Sequence, residues 1–182
     1  HVLLKGNNKS TAQKINEKIE AKKHETVLEI NLNHVENNFT FYKNLISKNT
    51  KILAMIKAAG YGAGLIEIGK KLEFCNVDFL GVAYVDEGVE LRKNGIAKPI
   101  LVMNPSVGSF NTLINHNLTP AIHDLNQLNS FTGKLIDLNV NAYPVHLKLN
   151  SGMNRLGFSE DEIDSLITFL QSQPEIKVEG IF

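Results

Sequence analysis

The sequence predicts an α/β fold built on a parallel sheet, and three observations carry that prediction. Short apolar runs alternate with stretches of helical periodicity from about residue 50 to the end. The runs are largely apolar at successive positions, as strands are when both faces of a sheet are covered. Successive runs start roughly 20 to 33 residues apart, about one βα unit each. Two architectures meet these facts, an open doubly wound sheet and a (β/α)8 TIM-type barrel. A barrel takes about 250 residues, so residues 50–182 would supply about six of its eight units. Periodicity does not choose between them.

Residues 1–23 differ from the rest. Val2–Leu4 is a short apolar strand, and Lys5-Gly6-Asn7-Asn8 is a turn. Ser10 or Thr11 can cap a polar helix with Ile15 and Ile19 on one face, ending at Lys22-Lys23. This segment reads as the tail of a preceding domain plus a linker. The domain of interest then runs from His24 to Phe182. A start at His1 and a stop in a strand at Phe182 predict an internal segment of a longer chain.

From Thr26 to Leu32 the pattern is that of a strand. His34–Ile46 follows as a helix with Val35, Phe39, Tyr42 and Ile46 on one face. Further strands are expected at Lys51–Ile56, Phe79–Tyr84, Pro99–Met103, Thr119–Ile122, Tyr143–Leu149 and Ile176–Phe182. Helices are expected at Leu65–Leu72, Val85–Lys93, Ser106–His116, Asp124–Asp137 and Ser159–Gln171. Ser159 followed by Glu160-Asp161-Glu162 is a strong helix start, because acids in the first turn face the positive end of the helix dipole.

Composition removes several function classes. Nineteen basic residues balance 19 acidic ones, so nothing global attracts nucleic acid or an anionic membrane. The one cysteine, Cys75, excludes a disulfide framework and a cysteine-based zinc site. It favours a reducing compartment and reads as a packed core residue. No apolar run approaches the ~20 residues of a membrane span. The N-terminal stretch lacks the apolar core of a signal peptide. The histidines are not paired at metal-ligand spacing, so no metal is expected.

Two stretches can carry chemistry. In Leu53-Ala-Met-Ile-Lys-Ala-Ala-Gly-Tyr-Gly-Ala-Gly64 an apolar strand delivers Lys57 at its C-terminal end, and a glycine-rich turn follows. Sites in parallel α/β folds lie at that end of the strands. A lysine among apolar and small neighbours is partly desolvated, which favours the neutral, nucleophilic amine. A lysine that merely snorkels from the strand end remains the bland alternative. Tyr61 can offer a hydroxyl to the same site or pack as an aromatic. The second stretch is Pro144-Val-His-Leu-Lys-Leu-Asn-Ser-Gly-Met-Asn-Arg-Leu-Gly-Phe158. Alternation turns His146 and Lys148 to one face and Val145, Leu147 and Leu149 to the other. Arg155, planar and always charged, suits a phenolate or a carboxylate. Asp86-Glu87 reads only as acids at a helix start, and His123-Asp124 as structural.

Taken together these stretches resemble alanine racemase, a fold-type III pyridoxal phosphate enzyme. Lys57-Ala-Ala-Gly-Tyr-Gly-Ala-Gly64 is similar to the family's K-A-(D/N)-A-Y-G-H-G, and His146–Phe158 to its H-x-K-x-D-T-G-M-x-R-x-G-(F/I). Phe79–Arg92, Glu29–Leu32 and Gly180–Phe182 resemble its second βα unit, its opening segment and its G-(I/L)-x-(S/T)-H-(F/L). Val2-Leu-Leu-Lys-Gly6 resembles the end of a Mur ligase, which implies a ligase–racemase fusion.

The resemblance implies a TIM-type barrel present here only in part. It implies L-alanine to D-alanine racemisation for peptidoglycan synthesis, in a cytoplasmic homodimer. Lys57 would bind pyridoxal 5'-phosphate covalently and act as an acid/base. Tyr61 would lie near the cofactor phosphate. Arg155 would meet the phenolic oxygen or the substrate carboxylate. Lys148 matches a lysine often carbamylated in the family. The second base and the C-terminal domain belong to later parts of the family, so this segment alone is expected to turn over little or nothing. Ala59, Ala63 and Asn150-Ser151 depart from the motifs. Ala59 and Ala63 favour a structural scaffold without turnover, and a pyridoxal phosphate carrier or regulator also stays open. A related decarboxylase or a racemase of broader specificity also stays open.

Overall fold

The protein is described by a computed structural model over residues 28–182. The expected strand Val2–Leu4, the helix after Ser10 and Thr11, and the boundary at residues 23 and 24 lie outside the described residues. So do Thr26 and Val27.

Leu28–Asn31 is not a strand. Helix α1, Leu32–Leu45, starts two residues earlier than the sequence predicts, because the Asn31 side chain accepts a hydrogen bond from Asn33 N at 2.9 Å. Its core-facing stripe is Leu32, Val35 and Phe39. Tyr42, expected on that stripe, is exposed.

Six strands follow: β1 Leu53–Met55, β2 Phe79–Val82, β3 Ile100–Val102, β4 Thr119–Ile122, β5 Tyr143–Leu147 and β6 Ile176–Ile181. The helices between them are α2 Leu65–Phe74, α3 Val85–Lys93, α4 Phe110–Asn115, α5 Leu125–Asp137 and α6 Ile163–Gln171. The expected helices at Ser106 and Ser159 both open with a 3-10 turn, Val107–Ser109 and Glu160–Glu162. Most strands are one to three residues shorter than expected, since pairing stops where the loops turn away.

All six strands are parallel and lie in sequence order. That order separates the two architectures. A doubly wound sheet reverses its strand order midway, which puts helices on both faces. Right-handed crossovers that always advance in one direction put every helix on one face. The helix-side face of the sheet carries Leu80, Val82, Ile100, Val102, Ile122, Val145 and Leu147, all buried. Burying each such side chain stabilises by about 1.5–3 kcal/mol.

The other face is concave. In a flat sheet, β2 and β5 would stand about 14 Å apart. Yet the rings of Phe79 on β2 and His146 on β5 are 5.7 Å apart, edge to face. The sheet therefore curls around an interior, as a sector of a TIM-type barrel does. His146 lies against β6, where a Cβ at Gly180 would come within 2.6 Å of its ring. Glycine permits that approach.

The N-terminal ends of the strands are closed by a polar network. Arg92 of α3 donates to the carbonyls of His116 (3.1 Å), Ile96 (2.8 Å), Lys98 (2.7 Å) and Asn117 (3.0 Å). Glu73 accepts from Ala97 N and Lys98 N, and Asp78 from Ile52 N. The Tyr143 hydroxyl donates to Leu118 O at 2.9 Å, and its ring continues an edge-to-face chain through Phe131 to Phe110. Burial raises the Tyr143 phenol well above its ordinary value, so it remains a neutral donor.

Candidate functional site

The C-terminal ends of the strands hold the residues that could do chemistry. After β1, Ile56 N extends the ladder to Gly81 O at 2.8 Å, and Lys57 follows half-buried. The chain then enters a left-handed turn. Ala58, Ala59, Gly60 and Tyr61 all have φ between +54° and +64°. The three non-glycine residues each bear roughly 1–2 kcal/mol of steric cost there. The cost is met by hydrogen bonds from Gly60 N to Ile56 O (2.9 Å) and from Gly64 N to Ala59 O (2.9 Å). A further bond crosses from another unit: Ala58 N donates to Glu87 Oε1 at 2.7 Å. Such strain persists where the surroundings over-determine the conformation.

After β5, Lys148 stands half-buried, with Nζ 4.8 Å from the centre of the Phe182 ring. A bridge closes the loop that follows: Phe158 N donates to Lys148 O (2.9 Å) and Asn150 N to Phe158 O (2.8 Å). Phe158 is buried and anchors the loop. Gly157 sits at φ +130°, where a Cβ would fall 2.6 Å from Asn150 N. Inside the loop the Asn150 side chain accepts from Asn154 N at 3.0 Å. Arg155 is held on this loop, exposed at the mouth of the site.

Lys57, Lys148 and Arg155 line one cleft of about 340 Å³ together with Met55, Tyr84 and Asn104. The lining contains no carboxylate. Among the described residues none of the three cations has a carboxylate within ion-pairing distance. Like charges gathered without a counter-charge in a cleft make a focused positive potential, which draws an anion. The donor set is a primary amine at a strand end, a second amine, and a guanidinium fork. It fits a ligand bearing an aldehyde and anionic oxygens.

Not every expected residue joins the cleft. Tyr61 is 63% exposed and lies outside the lining, its side chain turned away by the left-handed turn. His146 points into the barrel interior as alternation predicts. Burial pulls its imidazole below the ordinary histidine value, against the weaker opposite pull of Glu179. Its Nε2 is buried with no hydrogen-bond partner. His123 lies 3.1 Å from the Asp124 carboxylate, which also caps α5 through Gln127 N. Cys75 is only half-buried, packed against the core, and burial pushes its thiol up and away from reactivity.

Sequence reasoning missed Glu87. Its carboxylate accepts from Ala58 N, from Ala83 N at 2.7 Å and from Tyr84 N at 3.2 Å. The last bond is the Glu half of a capping box, without a return bond from the Tyr84 side chain. Ser or Thr three residues before a Glu would have signalled it, but Tyr84 stands there.

A family model described as "Alanine racemase, N-terminal domain" matches residues 30–182. Alanine racemase 1 of Oceanobacillus iheyensis is 34% identical over 158 residues, covering 85% of this chain and 41% of that protein. An amino-acid racemase of Enterococcus faecalis is 36% identical over 160 residues, 85% of this chain and 21% of that one. Among solved structures, alanine racemase of Clostridium difficile 630 in complex with cycloserine superposes with a TM-score of 0.79 at 36% identity. The match covers 84% of this chain and 42% of that one. The chain thus spans about two-fifths of the length of the alanine racemases it matches.

Proposed function

The chain belongs to the alanine racemase N-terminal domain family, and on that premise we propose that the protein interconverts L-alanine and D-alanine with pyridoxal 5'-phosphate. The observation that carries this reading is the convergence of Lys57, Lys148 and Arg155 on one cleft without an acid. Bound there, pyridoxal phosphate would supply the electron sink for the charge left when Cα loses its proton.

The chain's own residues do the rest. Lys57 Nζ would hold the cofactor, and the same amine would take or return the Cα proton. Arg155 directs its fork at the phenolic oxygen or the substrate carboxylate. By the resemblance Tyr61 would lie near the cofactor phosphate, with its side chain exposed and outside the cleft lining. Carbamylation of Lys148 by carbon dioxide, with loss of two protons from the ammonium, would turn a cation into an anion. That would relieve the crowding of three positive charges.

Racemisation needs a proton group on each face of Cα. We assign the second to the later part of the family, so residues 1–182 alone turn over little. The working form on this reading is a cytoplasmic homodimer, fused to a Mur ligase-like domain, that supplies D-alanine for peptidoglycan. One observation supports a second reading, a structural scaffold or pyridoxal phosphate carrier without turnover: alanines at 59 and 63, where the motif is polar.

The test is optical inversion of L-alanine by the full-length protein, alongside Lys57→Ala. Inversion lost in the variant bears out the assignment. No inversion by a wild-type protein that carries the cofactor would move the carrier reading to the front.

A further inference from the structure

The turn after Lys57 is held only in part by its own hydrogen bonds. The first N–H groups of any helical turn lack partners within it, and the turn after Lys57 also runs in the left-handed sense. Ala58 N–H, the peptide directly after Lys57, is satisfied from outside by Glu87. The same carboxylate takes Ala83 N and Tyr84 N, the backbone that leaves β2. Tyr84 and Ala83 line the cleft with Lys57. One side chain therefore fixes two neighbouring strand ends across 29 residues of sequence. Three N–H donors on an ionised acceptor make short, charge-assisted bonds. No neutral side chain offers the same, since an amide would point its NH2 at one of the donors.

We infer that Glu87 is a positioning residue: it clamps the peptide after Lys57 to the β2 loop and so aims the Lys57 amine into the cleft. The inference rests on the reading of Lys57 as the cofactor lysine, and the experiment separates the two. The full-length protein, Glu87→Gln and Glu87→Ala are treated with pyridoxal phosphate for timed intervals and reduced with borohydride. The label is then mapped, with the exposed Lys70 and Lys93 as internal controls. Melting curves and exchange of the Ala58 amide are followed in parallel.

Labelling of Lys57 is expected to slow about tenfold or more in both variants, since small misplacements of a reacting group carry losses of that order. Exchange at Ala58 should quicken by a similar factor. The control lysines should react unchanged, and Glu87→Gln, which keeps the side chain's shape, should melt near wild type. Wild-type labelling rates at Lys57 in a folded Glu87→Gln would overturn the positioning role and leave Lys57 as the site. A wild-type protein that takes no label at Lys57 would overturn the cofactor reading and the positioning role with it.

Discussion

The two ends of the sheet are built on opposite rules. At the N-terminal ends, polar groups are paired: Arg92 serves four carbonyls, Glu73 two N–H groups, and Tyr143 closes onto Leu118. Burial lowers the Arg92 pKa, which still leaves a guanidinium charged at any ordinary pH. At the C-terminal ends, Lys57, Lys148 and Arg155 share a cleft with no carboxylate, and the backbone beside Lys57 is left-handed. The paired end stabilises the fold. The unpaired end leaves charge open to a ligand, and the strain beside Lys57 is supported locally by Glu87 at the start of α3. Barrel folds divide labour in this way, with chemistry at one face and stability at the other.

Four experiments test that contrast. In the full-length protein, on the proposed function, Lys57→Ala should have the largest effect, lowering alanine racemisation by about 10³-fold or more. Its melting temperature should stay close to wild type, because Lys57 makes no ion pair among the described residues. A matching loss of stability would place Lys57 with the structural end.

Arg92→Ala should show the reverse, a loss of about 2–4 kcal/mol in urea unfolding as the carbonyls lose a charged donor. Cofactor affinity measured below the transition should be little changed. Arg92→Lys should recover only part of the loss, since an ammonium lacks the fork.

Gly157→Ala lies between the two classes. The positive φ and the 2.6 Å approach to Asn150 N predict about 1–3 kcal/mol of strain, and more if the loop cannot shift. If the loop gives way instead, Arg155 moves and substrate KM rises. Stability and KM both at wild-type values would show that the bridge does not fix Arg155.

The smallest effect concerns His146. Burial lowers its folded pKa below the ordinary 6.5. The unfolded chain then binds more protons in the window just below that value. This contribution to stability is full above pH 6.5 and is lost as pH falls through the lowered folded value. Urea midpoints across that window should fall less in His146→Gln than in wild type. Parallel curves would mean that the ring is solvated.

Much of the fold was legible. Val85–Lys93 and Thr119–Ile122 match their predicted limits, because the apolar periodicity of each is bounded by its own turn residues. Asp124 declares the start of α5 by capping it. The placement of Lys57 and Lys148 at strand ends, and of Arg155 on the loop after β5, was legible because an apolar run followed by glycine marks a strand end. Tyr42 was misread because a helix's face depends on what packs beside it. Glu87 was invisible: its partner is 29 residues away and becomes a neighbour only when β1 pairs with β2.

The amino-acid sequence thus determined where strands, helices and turns fall, and which side chains stand at the strand ends. Those are properties of a few residues at a time. The sequential strand order, the curl that brings Phe79 to His146, the meeting of Lys57 with Lys148 and Arg155 in one cleft, and the bond from Ala58 N to Glu87 belong to the tertiary structure alone. Each depends on contacts between units far apart in the chain, and no local pattern of hydrophobicity or spacing records which units meet.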